Sequence, residues 1–262
     1  MSMNLTARPR RLALGKRLRS CTAIPCHGVK PNWEDYTPEV RQAIRSSDLV
    51  CYPTPLYEDV FQSLGRRVFP RNYYRFMGNK IHQTNLFQLL EVPHPRTRLY
   101  YGRNPTQYIL QDFSFPFVAK NPVGSSQGLG VWMVRNIEEL EEYLDDHRPA
   151  YIQEYLAIDK DLRAVVIGGK VVHAYWRIGR EGEFRHNVSR GAGISYEDIP
   201  PEALDFAEQV CLRCGFEEVG LDLCQCNGKT YVIEANMVFG LEGFRRKGLD
   251  VSRILWDRVM GI

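Results

Sequence analysis

Apolar positions in this chain recur with two different periods, and the switches between them divide it into elements. "PEVRQAIRSS" (38–47) and "YEDVFQSLG" (57–65) carry helical spacing. They flank "DLVCYPTP" (48–55), a short buried strand closed by prolines, so the front of the chain predicts a small α/β unit. Residues 76–90, "FMGNKIHQTNLFQLL", turn helical after the glycine, and "VPHPRT" breaks that pattern into the extended "RLYYG". From residue 115 the period shortens. "FPFVAKNP" and "VWMV" read as strands joined by the glycine-rich "GSSQGLG" (124–130), "IEELEEYLDDH" as a surface helix and "AYIQEYL" as another strand. "DLRAVVIGGKVVHAYWRI" predicts a hairpin turned at Gly168 and Gly169. The stretch to residue 200 is polar and loop-like, a helix follows over 201–214, and "EVGLDLCQCNGKTYVIEAN" is a second hairpin turned at Asn227 and Gly228.

That second hairpin brings in chemistry, because side chains alternate along a strand and the loop length sets the register. A two-residue turn opposes Asp222 to Ile233 and sends Glu234 to the other face. A three-residue turn, with Gly228 in the left-handed conformation of a bulge, brings Asp222 and Glu234 to one face, and Asn236 joins them by period two. Leu221, Leu223 and Ile233 then fill the opposite side. Only the odd register separates the apolar set from the oxygen set, so it is the expected one; the plainer alternative is two unrelated acids on a solvated sheet face. Two carboxylates and an amide oxygen on a rigid sheet suit Mg²⁺, with Mn²⁺ as a substitute, and Mg²⁺ usually completes its shell with water and substrate phosphate. The phosphate side is supplied by "GSSQGLG", whose glycines admit backbone N–H groups to a polyphosphate, and by the point charge of Lys120. The loop links strand to strand and lacks GK[ST], so it is neither a Walker sequence nor a dinucleotide fingerprint.

Composition narrows the class. With 262 residues, 44% hydrophobic and 25% charged, the chain is an ordinary soluble one with room for one large or two modest domains. A net charge of +3 gives no global field for nucleic acid. The first twenty residues, however, hold Arg8, Arg10, Arg11, Lys16, Arg17 and Arg19 without an acid. They are expected to be a frayed, solvated leader, the alternative being an arm for an anionic partner. Apolar stretches such as "AVVIG" fall far short of the roughly 20 residues of a membrane span, and no apolar signal core opens the chain, so a cytoplasmic location is expected. Seven cysteines, at 21, 26, 51, 211, 214, 224 and 226, fit a reducing compartment. Four of them, from Cys211 to Cys226, offer thiolates for zinc, but "EALDFAEQVCLRCGF" reads as an amphipathic helix and packed thiols are the expectation.

Taken in order, "GNKIHQ", "PFVAKNPVGSSQGLGV", "YIQEYL", "DLRAVVIGGKVVHAYWR", "GEFRHNVSRGAG", "GLDLCQCNGKTYVIEAN" and "GLEGF" resemble an ATP-grasp ligase, most of all the RimK-like branch, over about Gly78 to Gly248. The resemblance implies an α/β (α+β) ATP-grasp fold in which two α+β subdomains grip ATP. A basic leader (1–20) and a short α/β domain (21–75) would precede the ATP-grasp domain (76–262), itself a small lid subdomain (76–155) and a catalytic subdomain (156–262). On matching positions, Lys80 and Lys120 would contact ATP phosphates, with Gly124, Ser125, Ser126, Gln127, Gly128 and Gly130 closing over them as a lid. Gln153, Glu154, Tyr155 and Leu156 would form the adenine hinge through backbone groups and packing, with Asp161 and Arg163 at the mouth of the site. Asp222, Glu234 and Asn236 match the metal ligands. Arg177, Asn187 and Arg190 match polar residues near the γ-phosphate and acyl group, Arg190 being the candidate for the oxyanion, and Arg185 would contact an acid substrate.

The implied activity is ADP-forming ligation of a carboxylate to an amine through an acyl phosphate, on an amino acid, a peptide or a protein terminus. The partners would be small-molecule or peptide carboxylates and amines. A nucleotide-binding regulatory module of the synapsin kind is the alternative, and nucleic-acid or ribosome contact through the leader and a homo-oligomer are compatible with either. Two departures bear on glutamate as the incoming amine, Ala192 where the branch has a glycine and "MVF" (237–239) after Asn236 in place of small residues, and the short front domain bears on any named substrate.

Overall fold

A computed structural model of the chain describes residues 10–124, 130–179 and 193–260. Its contacts divide it into two units, Met1–Tyr74 with Phe244–Ile262, and Arg75–Gly243. The division differs from the expected boundaries in assigning the last nineteen residues to the first unit.

The first unit opens with β1 (Arg11–Ala13), α1 (Pro38–Ser46), β2 (Leu49–Cys51), α2 (Thr54–Ser63) and β3 (Arg67–Phe69). The three strands form a parallel sheet in the order β1-β2-β3. Thr37 caps α1 by accepting from the Val40 N–H, with Pro38 in the first helical position. Leu12, Leu14, Ile44, Val50, Phe61 and Val68 share the core. The expected frayed leader is therefore corrected from Arg11 onward. "LAL" at 12–14 is fully buried, and the loss of apolar surface to water outweighs the cations on either side.

The second unit holds two antiparallel sheets. α3 (Lys80–Leu89), β4 (Thr97–Tyr100), α4 (Thr106–Asp112), β5 (Phe117–Lys120), β6 (Val131–Val134), α5 (Ile137–Asp146) and β7 (Ala150–Glu154) come first, with strand order β4-β7-β5-β6. Ile109, Phe117, Leu140 and Ile152 lie in the core of this part. β8 (Lys160–Ile167), β9 (Lys170–Ile178), β10 (Gly193–Ser195), α6 (Pro201–Cys214), β11 (Glu218–Cys226) and β12 (Lys229–Asn236) follow, in the order β10-β9-β8-β11-β12. α6 packs on β8, β9 and β11 through Ala203, Ala207, Val210, Cys211 and Cys214, and ends at Gly215 in the left-handed conformation. β10 is a strand within the stretch expected to be loop, held to β9 by Ile194 opposite Arg177. α7 (Glu242–Arg246) crosses the boundary between the units, and α8 (Val251–Met260) packs in the first unit against a 3-10 turn at Lys16–Leu18.

The β11–β12 hairpin corrects the expected turn while keeping the expected pairing. Asn227 and Gly228 both have left-handed φ, 50° and 73°, and Cys226 pairs with Lys229, so the turn is the two-residue kind. The register then shifts between Asp222 and Leu223: Leu223 faces Val232, but Asp222 faces Glu234. Ile233 is the extra residue of a β-bulge. It therefore leaves the core side assigned to it, where Val232 and Ala235 are buried instead with Leu221 and Leu223.

Candidate functional site

Backbone stitching draws the start of α3 onto the end of β5. The Lys80 N–H donates to Pro122 O at 2.9 Å, the Gly124 N–H to Gly78 O at 2.9 Å, and Asn79 bridges Val123. Gly78 and Gly124 take left-handed φ of 61° and 77°, which a side chain would resist. The Asn79 side chain caps α3 by accepting from His82 N–H. Lys80 and Lys120 both end up almost fully buried. Lys80 Nζ lies 3.0 Å from Glu234 Oε1. Burial pulls the Lys120 ammonium down to about 8; Glu234 opposes that shift, Lys80 adds to it, and Asp222 opposes it.

On the five-stranded sheet, cross-strand neighbours form a buried ionic network. Arg163 faces Asp222 across β8 and β11 and grips it with two donors, Nε to Oδ1 at 2.5 Å and Nη2 to Oδ2 at 3.1 Å. Arg177 faces Asp161 across β9 and β8, donates Nε to Asp161 Oδ1 at 2.5 Å, and places Nη2 2.9 Å from Asp222 Oδ2. Burial alone would raise the Asp222 carboxyl, but Arg163 and Arg177 overcome it and hold it below its usual range. Asn236 donates Nδ2 to Asp222 Oδ2 at 3.1 Å, which leaves its amide oxygen directed away from that carboxylate. Asn236 and Asp222 thus meet directly, and Glu234 is registered opposite Asp222 across the hairpin. Asp161 and Arg163 do not stand at a mouth: they are 5% and 7% exposed and form the floor beneath Asp222. Arg177 joins them there, because β-sheet pairing sets its guanidinium between two aspartates.

One residue that the sequence pattern did not single out holds this arrangement. β12 is an edge strand, and Gln83 of α3 completes it: Nε2 donates to Ala235 O at 2.7 Å and Oε1 accepts from the Ala235 N–H at 3.1 Å. A second bond runs from Nε2 to Phe76 O at 2.9 Å. The amide thus pairs both backbone groups of the residue between Glu234 and Asn236. Only the helical period was visible in sequence, which places Gln83 one residue-turn from Lys80 without revealing what it faces.

A small cleft is lined by Lys80, Thr84, Tyr151, Gln153, Ile233 and Glu234, so the bulge turns Ile233 and Glu234 toward the same space. In the expected hinge, the Gln153 side chain is buried and donates to Thr97 Oγ1 at 2.8 Å, and Glu154 Oε1 accepts from the Arg96 N–H at 2.5 Å. Tyr155 is exposed, Leu156 half-buried, and the chain leaves the sheet there. Gly124 and Gly130, with φ of 77° and 75°, bracket the expected lid. Ser125, Ser126, Gln127, Gly128, Arg185, Asn187 and Arg190 lie outside the described residues. After Asn236, Met237 and Phe239 are buried and Val238 is exposed. Phe239 packs over Gly220, where an added Cβ would lie 2.9 Å from Phe239 Cβ and 3.1 Å from Arg163 Cδ. Cys211, Cys214 and Cys224 are buried free thiols whose pKa burial raises, to about 12 for the last two. Among the described residues, no group of three or more His, Cys, Asp or Glu side chains could hold a metal.

Comparison with known proteins agrees with this architecture. A family profile described as the RimK-like ATP-grasp domain matches residues 77–259. A ribosomal protein bS6–L-glutamate ligase of Escherichia coli O139:H28 is 34% identical over 144 residues, 52% of this chain and 48% of the relative. The chain thus spans about half the length of the curated relatives it matches. A RimK domain ATP-grasp protein from Sphaerobacter thermophilus superposes with a TM-score of 0.67 at 17% identity, covering 95% of this chain and 98% of that one. The ATP-grasp ligase PsnB, solved with a minimal precursor, gives 0.66 at 17% identity and 97% and 99% coverage.

Proposed function

Because the chain belongs to the RimK-like ATP-grasp family, we propose that it is an ADP-forming ligase that joins a carboxylate to an amine through an acyl phosphate, on an amino acid, peptide or protein terminus. The observation that carries this reading is the clustering of Lys80, Lys120, Asp222, Glu234 and Asn236, of which Lys80 and Glu234 line the cleft. Names among the relatives agree in kind: one acts on a ribosomal protein, and a PsnB structure holds precursor, Mg and ADP.

The charges define what such a site accepts. Lys80, Lys120, Arg163 and Arg177 stand against Asp161, Asp222 and Glu234, so the centre carries no surplus of negative charge for a bare cation. A polyphosphate suits it better. Lys80 and Lys120 are placed to offset phosphate charge, and Lys120, already desolvated, needs no reorganisation to do so. Arg163 and Arg177 keep Asp222 ionised and oriented. Glu234, Asp222 and, with its amide turned over, Asn236 are of the donor type a hard divalent ion takes, and would hold Mg²⁺ or Mn²⁺. When bound, that ion would supply charge compensation on the polyphosphate. The carboxylate oxygen of the first substrate takes the terminal phosphoryl group as ADP departs; the amine then forms the amide and releases phosphate. Gln83 fixes the strand that carries two of the three oxygen donors.

The test is a matrix of acids against amines, scored for ADP release that requires both, with Lys120→Met as the blank. Release that needs both components supports the ligase. Nucleotide binding without turnover across a broad matrix would favour a regulatory module, and absence of nucleotide binding would overturn the reading of the site.

A further inference from the structure

Charge is divided unevenly between the two units. The first holds 17 Lys and Arg against 8 Asp and Glu, a net +9, while the second holds 17 against 23, a net −6. The near-neutral whole conceals this. Within the first unit the excess gathers where α8 packs against the turn at Lys16–Leu18. Lys16, Arg17 and Arg19 come from the turn and its flank, Arg245, Arg246 and Lys247 from the end of α7 and after it, and Arg253 and Arg258 from α8. Glu242, Asp250 and Asp257 are the acids of α7, α8 and the stretch between them.

Two features distinguish this surface from an ordinary solvated face. Lys16, Arg19, Arg253 and Arg258 are exposed and make no ion pair among the described residues, whereas Arg10, Arg98, Arg135 and Lys170 each pair with an acid. And six of the eight cations are arginine, whose planar fork binds carboxylates in pairs of hydrogen bonds.

We propose that this basic surface of the first unit docks an acidic polypeptide segment. Carboxylates match the arginine forks. No large aromatic side chain is exposed among Lys16–Arg19 or Phe244–Val259, so the stacking platform that single-stranded nucleic acid uses is missing there. A second unit of net −6 further disfavours a long polyanion over a short acidic stretch. The choice of a polypeptide rests on the ligase reading above, in which a peptide or protein carries the reacting group; the binding itself does not require catalysis.

The experiment uses the full chain and fluorescence anisotropy. The probes are a labelled Asp/Glu peptide of about 12 residues, a single-stranded RNA of equal charge and anionic lipid vesicles, from about 50 to about 300 mM NaCl. The expected result is peptide binding that weakens with salt and exceeds RNA and vesicle binding. The triple variant Arg19→Glu, Arg253→Glu, Arg258→Glu should weaken the peptide at least about tenfold with an unchanged melting temperature. Equal or tighter binding of RNA or vesicles, no salt-dependent binding, or an unaffected triple variant would overturn the proposal. If the variant melts early, the wild-type probe ranking and salt slope decide alone. MgATP binding measured in parallel separates the two readings, since its absence would sink the ligase and leave the docking result standing.

Discussion

Replacing Gln83 with leucine isolates the role of one side chain in presenting the site. The substitution keeps the bulk and removes three hydrogen bonds, two to Ala235 and one to Phe76. Gln83 is 3% exposed, so water does not reach the groups left behind. Each buried backbone group without a partner costs about 1–3 kcal/mol, and with partial relaxation the loss should come to about 3–5 kcal/mol. A loss of that size is not diagnostic alone, because Ile109→Ala, in the core around the four-stranded sheet, should cost a comparable ~2–5 kcal/mol. The diagnostic is affinity. Ala235 lies between Glu234 and Asn236, so the freed edge strand should shift both, and calorimetry should show MgATP binding weakened by about ten- to a hundredfold, corresponding to roughly 1.4–2.8 kcal/mol. Ile109→Ala should leave the affinity unchanged at matched loss of melting temperature. Gln83→Glu keeps the acceptor for the Ala235 N–H but sets a carboxylate against Ala235 O, so it should not rescue. Equal MgATP affinity in Gln83→Leu and the wild type would refute the positioning role and reduce Gln83 to a core filler.

Further outcomes follow from the same geometry. With the Lys120 ammonium near 8 in the free site and phosphate favouring its charged form, nucleotide binding should take up a proton in alkaline solution, and affinity should fall by up to about tenfold per pH unit above that value; calorimetry in buffers of different ionisation heat reads this directly, and no uptake at about pH 8.5 would contradict it. For stability the direction is opposite, since the folded value lies below the unfolded 10.5: the unfolded chain binds more protons between the two, so the cost of burying the ammonium is present below about pH 8 and is relieved as pH rises toward 10.5. Lys120→Met should accordingly raise the melting temperature at pH 7 while removing MgATP binding. Gly220→Ala should cost about 1–3 kcal/mol by forcing Phe239 and Arg163 apart, and it should weaken MgATP as well because Arg163 holds Asp222; a melt shift with intact affinity would show that the two are not linked. Mg²⁺ added without nucleotide should give neither binding heat nor a melt shift, and a clear shift with the metal alone would mean that the arginines leave Asp222 more negative than the charge balance implies.

Period and punctuation exposed most of the second unit because its elements are long relative to the noise of local pattern. β8, β9, β11 and β12 run eight or nine residues each, and α6 begins and ends at the positions its amphipathic period and Gly215 mark. Three-residue strands such as β1, β3 and β10 gave no comparable signal, since two apolar residues fit a loop as well as a strand. The hairpin is the instructive case. Sequence demanded that Asp222 and Glu234 share a face, and two local devices could achieve that, a longer turn or a bulge. Asn227-Gly228 is the strongest two-residue turn signal, and that chemistry fixed the turn; the surplus residue was then displaced up the strand to Ile233.

What remained hidden at the site is what depends on long-range pairing. Asp161 and Arg163 carry the same period as surface residues on an exposed strand, and nothing in their neighbours reveals that Arg177 and Asp222 lie across from them. Once all four are registered on adjacent strands, burial of each charge is offset largely by the others, so removing any one leaves its partners under-compensated in a dry floor. That interdependence gives Asp222 a structural role beside the one proposed for it: its carboxylate is the counter-ion that keeps two arginines buried. Neutralising it therefore perturbs stability and nucleotide affinity together, and neutralising Glu234 should do the same on a smaller scale, because it leaves the single buried Lys80 ammonium without its carboxylate.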